Sequence, residues 1–296
     1  MLPFVFLDES KLGPFHAFGL CCAAGFFLWD WAFMKRGLAR GYARGDLRAL
    51  TAWLLVTGTF VAWLVDVVFY HSGDRAIDSS VSAWQGFSAT GGFVGALIGA
   101  LAWTRVFVGR DADTRRFVVR LRKEPQALLR ASDVIVSTWT VAAACGRLGC
   151  SLIHDHPGVT VAKGSLASFL AVGWPRGPEE GVSHVLGPLH VVTGAAEARL
   201  DLGLLECLFF VVLSIVFVAT WKRELKLGTY TIAGTIAYGT FRLLLDFARI
   251  TDGPGGDVRH GGLTFAQYVG LAMIALGVTL FVRRMRSAPA PAGATS

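Results

Sequence analysis

Charged residues are scarce in this chain. Only 17% of its 296 residues are Asp, Glu, Lys or Arg, whereas 53% are hydrophobic. A soluble domain of ordinary composition carries roughly a quarter charged residues. The mean hydropathy is +0.53, and the 21 Phe and nine Trp suit a protein with aromatic residues at its membrane interfaces. The low charge therefore argues against an ordinary water-soluble domain and predicts an integral membrane protein.

Cysteines are also few, and their positions argue against a disulfide framework. Cys145 and Cys150 would point about 140° apart on a helix, which disfavours a bond between them. Cys150, His154 and His156 are metal-ligating types at a plausible spacing, but the second ligand pair of a zinc site is missing. We therefore expect no metal and no cofactor. The remaining cysteines fall inside apolar runs, where thiols usually pack as small apolar groups: Cys21, Cys22 and Cys207.

Targeting and repeat signals are missing as well. The first ten residues contain Asp8 and Glu9 and no basic residue, so we expect no cleavable signal peptide. No repeat of about 20–50 residues is found. We predict one polytopic membrane domain over residues 1–286. The Ala- and Pro-containing tail 287–296 is predicted to be a disordered cytoplasmic segment.

Apolar runs of about 20 residues predict an all-α fold with seven transmembrane helices. With the N-terminus outside, 18 of the 28 basic residues fall in the connections on one side and at the C-terminus. The positive-inside rule assigns this side to the cytoplasm, so the basic excess reports topology and we expect no nucleic-acid partner. The longest connection on the other side, about 153–200, is predicted to form a small outer cap. The seven runs cover about 15–34, 50–69, 86–108, 131–152, 201–221, 228–247 and 264–282.

The most informative stretch closes the sixth span. Tyr238, Arg242, Asp246 and Arg249 are spaced four, four and three apart, which places them within an arc of about 80° on a helix. Charges in an apolar span are costly, so they normally face a protein interior or a wet cavity. The stretch therefore predicts a functional site, while a structural Arg242–Asp246 pair between helices is the alternative.

A second motif, Gly146–Gly158, joins the fourth span to the predicted cap. Arg147 is flanked by glycines, which lets both backbone and guanidinium approach a ligand, and guanidinium geometry matches phosphate. Asp155 could orient this arginine or act as a base. An interfacial arginine that snorkels to lipid headgroups is the alternative interpretation. A third element, Thr90–Gly95, contains the adjacent glycines Gly91 and Gly92, which permit close helix approach.

Together these elements resemble the bacterial prolipoprotein diacylglyceryl transferase family, and the resemblance covers nearly the whole chain in order. The family's Tyr-Gly-x-Phe-Arg-x-x-x-Glu-Phe-x-Arg motif is similar to Tyr238–Arg249. Its Gly-Arg-x-Gly-Asn-Phe-x-Asn-x-Glu-x-x-Gly signature matches Gly146–Gly158 in part. Further matches are Gly13-Pro14 with His16–Leu20, Thr90–Gly95, and Leu263-Thr264 with Gln267.

The resemblance implies a multi-pass protein of the bacterial inner membrane, with the N-terminus outside and the C-terminus in the cytoplasm. It implies transfer of the diacylglyceryl group of phosphatidylglycerol, or a related anionic phospholipid, to a lipobox cysteine of a prolipoprotein. Arg147, Arg242, Tyr238 and Asp155 are the implied catalytic residues. The implied substrate-binding residues are Asp246, Arg249, Gly158, Gly91, Gly92, His16, Thr90 and Cys150.

Several positions depart from the family pattern. Thr90 replaces the motif histidine, and a hydroxyl that hardly ionises near neutral pH cannot accept a proton as imidazole does. Another base is therefore required, and His260-Gly261-Gly262, Asp155, His154 and His156 are candidates. A non-catalytic lipid- or lipoprotein-binding protein of the same fold and, less favoured, a transporter stay open. The other departures are Phe18 for tyrosine, Cys150 and Ile153 for asparagine, and only a faint echo, Arg199-Leu200 and Glu206, of the His-Pro-x-Gln-Leu-Tyr-Glu run.

Overall fold

The fold is known from a computed structural model, which describes residues 1–13, 15–70, 88–110, 116–176, 180–195, 197–251 and 256–286. The predicted disordered tail, 287–296, lies outside the described residues. Two compact units are present. The first comprises Met1–Trp29, Val136–Leu225 and Tyr230–Ser296, and the second comprises Asp30–Ile135 and Lys226–Thr229.

Each of the seven predicted spans corresponds to an α-helix. Among the described residues, five helices are long and apolar enough to cross a membrane: α1, residues Arg44–Val68 of α2, α4, α5 and α7. The membrane character is therefore confirmed. Because α3 and α6 have only 17 residues each, seven membrane crossings stay a prediction. The helices are α1 (Ala17–Ala39), α2 (Arg44–Tyr70), α3 (Ala89–Arg105), α4 (Leu128–Ile153), α5 (Leu202–Ala219), α6 (Thr229–Leu245) and α7 (Phe265–Arg286).

The chain is mainly helical rather than all-α, which corrects the predicted fold class. Within the described ranges, eight short strands form three antiparallel sheets, ordered β1-β7-β6, β2-β3 and β4-β8-β5. Strands of four or five residues leave little periodic signal, so apolar run length alone could not reveal them. The strands are β1 (Phe4–Leu7), β2 (Val106–Arg110), β3 (Phe117–Leu121), β4 (Pro157–Thr160), β5 (Ala171–Trp174), β6 (Val182–Leu186), β7 (Leu189–Thr193) and β8 (Glu197–Asp201).

In the first unit, the segment predicted as a cap forms two of these sheets. Strand β1, from the N-terminal segment, pairs with β7, so that Phe4 faces Val192 and Leu7 faces Leu189. Strand β8 pairs with β5 and continues directly into α5. The N-terminal segment and the 153–200 segment therefore fold together as one β-rich layer.

In the second unit, glycines of α3 allow close packing against α2. Gly91, Gly95 and Gly99 recur at intervals of four, and each lies against the backbone of α2. The Thr57 hydroxyl of α2 donates a hydrogen bond to the Gly95 carbonyl at 2.7 Å. Small residues at this spacing are typical of helix pairs in membranes. Gly91, which was predicted to bind substrate, thus packs against the backbone of α2.

Replacing Gly95 with alanine is expected to destabilise the second unit. The added methyl carbon would lie 2.8 Å from the Cα of Gly58, well inside van der Waals contact, and such overpacking costs about 1–3 kcal/mol. Thermal melting of the purified protein in detergent measures the effect. Gly92→Ala is the matched control, since its methyl carbon would lie 3.9 Å from the Ala62 Cβ. Equal melting temperatures for the two variants would contradict the packing argument.

Candidate functional site

The site begins at the contact between the end of α4 and the start of α5. Asp201 caps α5 by accepting a hydrogen bond from the Leu204 amide at 2.9 Å, and it also accepts from the Ser151 hydroxyl of α4 at 3.3 Å. Gly203 faces the α4 backbone so closely that a methyl group there would lie 2.9 Å from the Ser151 nitrogen. This contact places Glu206, about one turn into α5, beside Arg147, nearly two turns before the end of α4.

Glu206 is the centre of the site. Its side chain is fully buried, and one oxygen, Oε2, forms an ion pair with Arg147 Nε at 3.0 Å and accepts a hydrogen bond from Arg242 Nη1 at 3.1 Å. The other oxygen accepts a hydrogen bond from the Tyr238 hydroxyl at 2.7 Å. Three helices, α4, α5 and α6, therefore meet at a single carboxylate. Each of the two arginine side chains is only 12% exposed, so the cations are held in a mostly dry environment.

Aromatic rings surround the Tyr238 end of this cluster. The ring of Tyr238 lies 5.0 Å from that of Phe210 and 6.1 Å from that of Trp139. Trp139 and Phe210 also pack edge to face, with ring centroids 5.1 Å apart. Apolar surroundings strengthen the attraction between opposite charges, because they screen that attraction only weakly. The aromatic wall thus favours a rigid arrangement of the carboxylate and its partners.

A second charged group forms where α6 ends. Helix α6 stops at Leu245, Asp246–Ala248 is a 3-10 turn, and Arg249 has extended backbone angles. The predicted continuous helix through Arg249 is therefore wrong. Asp246 is nevertheless fully buried between two arginines, at 3.2 Å from Arg242 Nη2 and 3.2 Å from Arg249 Nε. Arg249 also contacts Asp257 at 3.4 Å.

The start of α7 holds Asp246 in place. The Thr264 hydroxyl donates a short hydrogen bond to the Asp246 carboxylate. Thr264 and Gln267 also form a capping box, in which the Gln267 amide donates to the Thr264 hydroxyl and the Thr264 amide donates to the Gln267 side chain at 2.9 Å. The Gln267 side-chain nitrogen donates to the Leu243 carbonyl of α6 at 3.0 Å. The Leu-Thr-x-x-Gln motif is thus a structural support for the acidic end of α6.

Gly158 contributes through its backbone. It forms an antiparallel bridge with Arg249, and a methyl group at this position would lie 2.9 Å from the Leu200 carbonyl oxygen and 3.0 Å from that of Ala248. Only a residue without a side chain fits without displacing these groups. Gly158 therefore allows the turn after α6, which carries Arg249, to pack against β4.

The polar residues that follow α4 separate into two groups. His154 has a positive φ of 50°, and its ring contacts Asp201 at 2.7 Å and the Val5 carbonyl at 3.0 Å. Asp155 and His156 turn the other way, and their ligand atoms lie with the sulfur of Cys150 within 4.8 Å of one another. The predicted role of Asp155 in orienting Arg147 is not what these contacts show, because the carboxylate that holds Arg147 is that of Glu206.

The remaining predicted residues lie elsewhere. His16 precedes α1 in the first unit, and its side chain is exposed. Thr90, Gly91 and Gly92 belong to the first turn of α3 in the second unit, where the Ser88 hydroxyl caps the helix by accepting from the Gly91 amide at 3.3 Å. His260, a candidate base, is exposed, and its carbonyl accepts from the Tyr268 hydroxyl at 2.7 Å.

Glu206 is the main residue that sequence reasoning undervalued. It was noted only as a faint echo of a family motif, yet it contacts three of the predicted site residues. A signal was present, because a glutamate inside the strongly apolar run Leu202–Phe210 is costly unless a partner of opposite charge is available. Asp201 and Thr264 were likewise not predicted as parts of the site. Their roles depend on contacts between helices that are distant in sequence.

The linked network is suited to binding an anion. It contains four arginines, of which Arg259 contacts the Asp246 carbonyl at 3.4 Å, and three carboxylates: Glu206, Asp246 and Asp257. The network thus carries one positive charge in excess. Arginines already oriented by buried carboxylates need little rearrangement to stabilise negative charge that develops on a ligand.

Comparisons with known proteins agree with these features. A sequence model described as prolipoprotein diacylglyceryl transferase matches residues 10–283. A phosphatidylglycerol–prolipoprotein diacylglyceryl transferase of Xanthomonas euvesicatoria pv. vesicatoria is 24% identical over 313 aligned positions, covering 96% of this chain and 94% of the relative. The protein of the same name from Xanthomonas campestris pv. campestris strain B100 is 27% identical, covering 94% and 90%.

Glu206→Gln is expected to lower the stability of the first unit by about 3 kcal/mol, because it leaves two buried guanidinium groups without the carboxylate they share. Thermal or denaturant unfolding in detergent measures the loss. The control is Glu197→Gln, which weakens the partly exposed pair with Arg199 at 2.7 Å and should cost less than about 1 kcal/mol. An equal loss in the two variants would show that Glu206 is not a central support.

Proposed function

The chain belongs to the prolipoprotein diacylglyceryl transferase family, and from this premise we propose that it is a diacylglyceryl transferase. It transfers the diacylglyceryl group of phosphatidylglycerol, or a related anionic phospholipid, to the thiol of a lipobox cysteine. In this reaction a sulfur–carbon bond forms while the bond between the glyceryl carbon and the phosphate oxygen breaks. The bonding electrons remain on the leaving glycerol phosphate, and the thiol gives up its proton to a base or to solvent water.

The observation that carries this proposal is the convergence of Arg147 and Arg242 on one buried carboxylate. Both guanidinium groups are positioned before a ligand arrives, and both are mostly shielded from water. Negative charge increases on the phosphate as the carbon–oxygen bond breaks. Fixed cations in a dry site stabilise such charge more effectively than water does. Tyr238, Asp246 and Arg249 support this pair by holding Glu206 and Arg242 in place.

The proposed location follows from the distribution of charge and hydropathy. Two of the helices that carry the polar site, α4 and α5, are apolar enough to cross a membrane, which fits a substrate whose acyl chains remain in lipid. We assign the basic connections to the cytoplasm and the N-terminus to the outer face of the inner membrane. The site then lies at the outer boundary of the membrane, where a lipid headgroup and the cysteine of an exported prolipoprotein can both reach it.

One alternative has a specific observation in its favour. Thr90 stands where the family pattern has a histidine, and threonine cannot accept the proton of the attacking thiol. A protein with an intact phosphate-binding cluster but no means of thiol activation would bind anionic lipid, or a lipoprotein, without turnover. Assays with the purified protein distinguish the two functions directly.

Arg147→Lys and Arg242→Lys are each expected to reduce transfer by about 10²–10³-fold, because an ammonium keeps the charge but loses the planar, two-point geometry. The measurement is the rate at which a lipobox peptide is modified in vesicles that contain phosphatidylglycerol. Arg199→Lys, in strand β8 of the cap, is the matched control and should keep the rate within about twofold, as expected for a partly exposed pair.

A second measurement uses cells depleted of their own transferase. The chain should restore growth and the electrophoretic mobility of lipidated proteins, whereas Arg147→Lys should not. Absence of turnover in vesicles together with failure to complement, despite binding to phosphatidylglycerol, would reject the transferase function in favour of lipid binding.

A further inference from the structure

Three metal-ligating side chains meet immediately after the membrane helix that carries Arg147. Cys150 lies in the last turn of α4, and Asp155 and His156 follow the end of that helix. The Cys150 sulfur, a carboxylate oxygen of Asp155 and a ring nitrogen of His156 all lie within 4.8 Å of one another. A modest side-chain adjustment would bring all three within bonding distance of one ion.

The backbone at His154 produces this arrangement. Its positive φ of 50° reverses the chain at the end of α4, so that the next two residues return toward Cys150. The His154 ring is fixed by Asp201 and the Val5 carbonyl and stacks on Phe4 at 3.8 Å. The His154 ring is therefore held by contacts within the cap and is not part of the cluster. The ligand set thus differs from the Cys150–His154–His156 trio suggested by spacing alone.

Two buried atoms of the cluster are in ion-pair contact with each other but have no hydrogen bond within the described residues. Asp155 Oδ1 and His156 Nδ1 lie 3.0 Å apart, but in the described part of the chain neither has a hydrogen-bond partner of acceptable geometry. Buried polar atoms are nearly always paired. A cation between the carboxylate, the imidazole and the neighbouring sulfur would satisfy both atoms at once.

We propose that Cys150, Asp155 and His156 form a binding site for a zinc-type divalent cation. A thiolate, an imidazole and a carboxylate together suit Zn²⁺ rather than Mg²⁺ or Ca²⁺, which prefer oxygen ligands only. Three protein ligands are the number found in catalytic zinc sites, where a fourth, open position accepts water or substrate.

The position of this site links it to the transferase reaction, so this step rests on the proposed function. Arg147 Nη1 lies 3.8 Å from the Cys150 sulfur, and the same guanidinium contacts Glu206. A metal held by Cys150 would therefore lie close to the proposed phosphate-binding residue Arg147, and an incoming lipobox thiol would bind at that metal. A lipobox thiol that binds there loses its proton to solvent water and becomes a metal-bound thiolate.

The metal-bound sulfur then attacks the glyceryl carbon. The sulfur–carbon bond forms, the carbon–oxygen bond to phosphate breaks, and the electron pair leaves with glycerol phosphate. Because the metal displaces the thiol proton, no histidine at position 90 is needed. The site thereby supplies the thiol activation that Thr90 cannot.

The test uses the full purified chain in detergent, stripped with a chelator and titrated with Co²⁺ in place of Zn²⁺. Cobalt bound to a thiolate gives a sulfur-to-metal charge-transfer band in the near ultraviolet. We expect one Co²⁺ per chain with this band, loss of the band in Cys150→Ser, and affinity lower by about tenfold or more in His156→Gln and Asp155→Asn. Helical circular dichroism verifies that each variant is folded.

Matched controls come from the same chain. Cys145→Ser removes another thiol from α4, and His184→Gln removes an exposed histidine from β6; both should keep the band and the affinity of the native protein. If Co²⁺ binding by the folded native chain is absent, or if the band persists in folded Cys150→Ser, the metal site is rejected.

The metal's role in thiol activation is tested separately with the vesicle assay. Chelation should abolish transfer, and added Zn²⁺ should restore it in the native chain but not in Cys150→Ser. Transfer that continues unchanged in the chelated protein would overturn this role, whether or not the site binds Co²⁺. Co²⁺ binding without any transfer would instead reject the proposed function and leave the metal site standing.

Discussion

The first unit depends on one buried carboxylate. Glu206 is fully enclosed, and an isolated charge in such surroundings would be strongly unfavourable, so its two arginines and Tyr238 are required partners. Because the partners come from α4 and α6, the carboxylate fixes the register of three helices. The same requirement orients Arg147 and Arg242 before any ligand binds. Stability and preorganisation of the site are therefore two consequences of a single contact.

Sequence reasoning succeeded where the signal was local. Hydrophobic run length placed all seven helices, and the cost of charge in an apolar span identified Arg242 and Asp246. It failed where a contact joins distant segments. Strand β1 is only four residues long and pairs with residues 189–192. The end of α6 at Leu245 is likewise unexpected from the sequence, since the extended Arg249 bridges to Gly158 in β4.

The support of Asp246 shows why a motif can be recognised before its role is understood. Thr264 and Gln267 stand out as part of a Leu-Thr-x-x-Gln pattern, yet the pattern alone does not say what they contact. In the structure they cap α7. The Thr264 hydroxyl also donates to the Asp246 carboxylate, and the Gln267 side-chain nitrogen donates to the Leu243 carbonyl near the end of α6. Without this support, Asp246 would be held only by its two ion pairs, with Arg242 and Arg249, and the second anchor of Arg242 would be less firmly fixed.

The departures from the family pattern concern activation of the thiol nucleophile and not stabilisation of the leaving group. The arginines, Tyr238 and the acidic residue at position 246 are retained, so the groups to which the proposed function assigns stabilisation of the leaving phosphate are in place. The changes at Thr90 and Cys150 instead affect groups that could act on the nucleophile. An asparagine replaced by cysteine exchanges a neutral amide for a metal ligand, and here that ligand lies beside Asp155 and His156. One proton acceptor is lost and one ligand set appears, which is the pattern expected if thiol activation has passed from imidazole to metal.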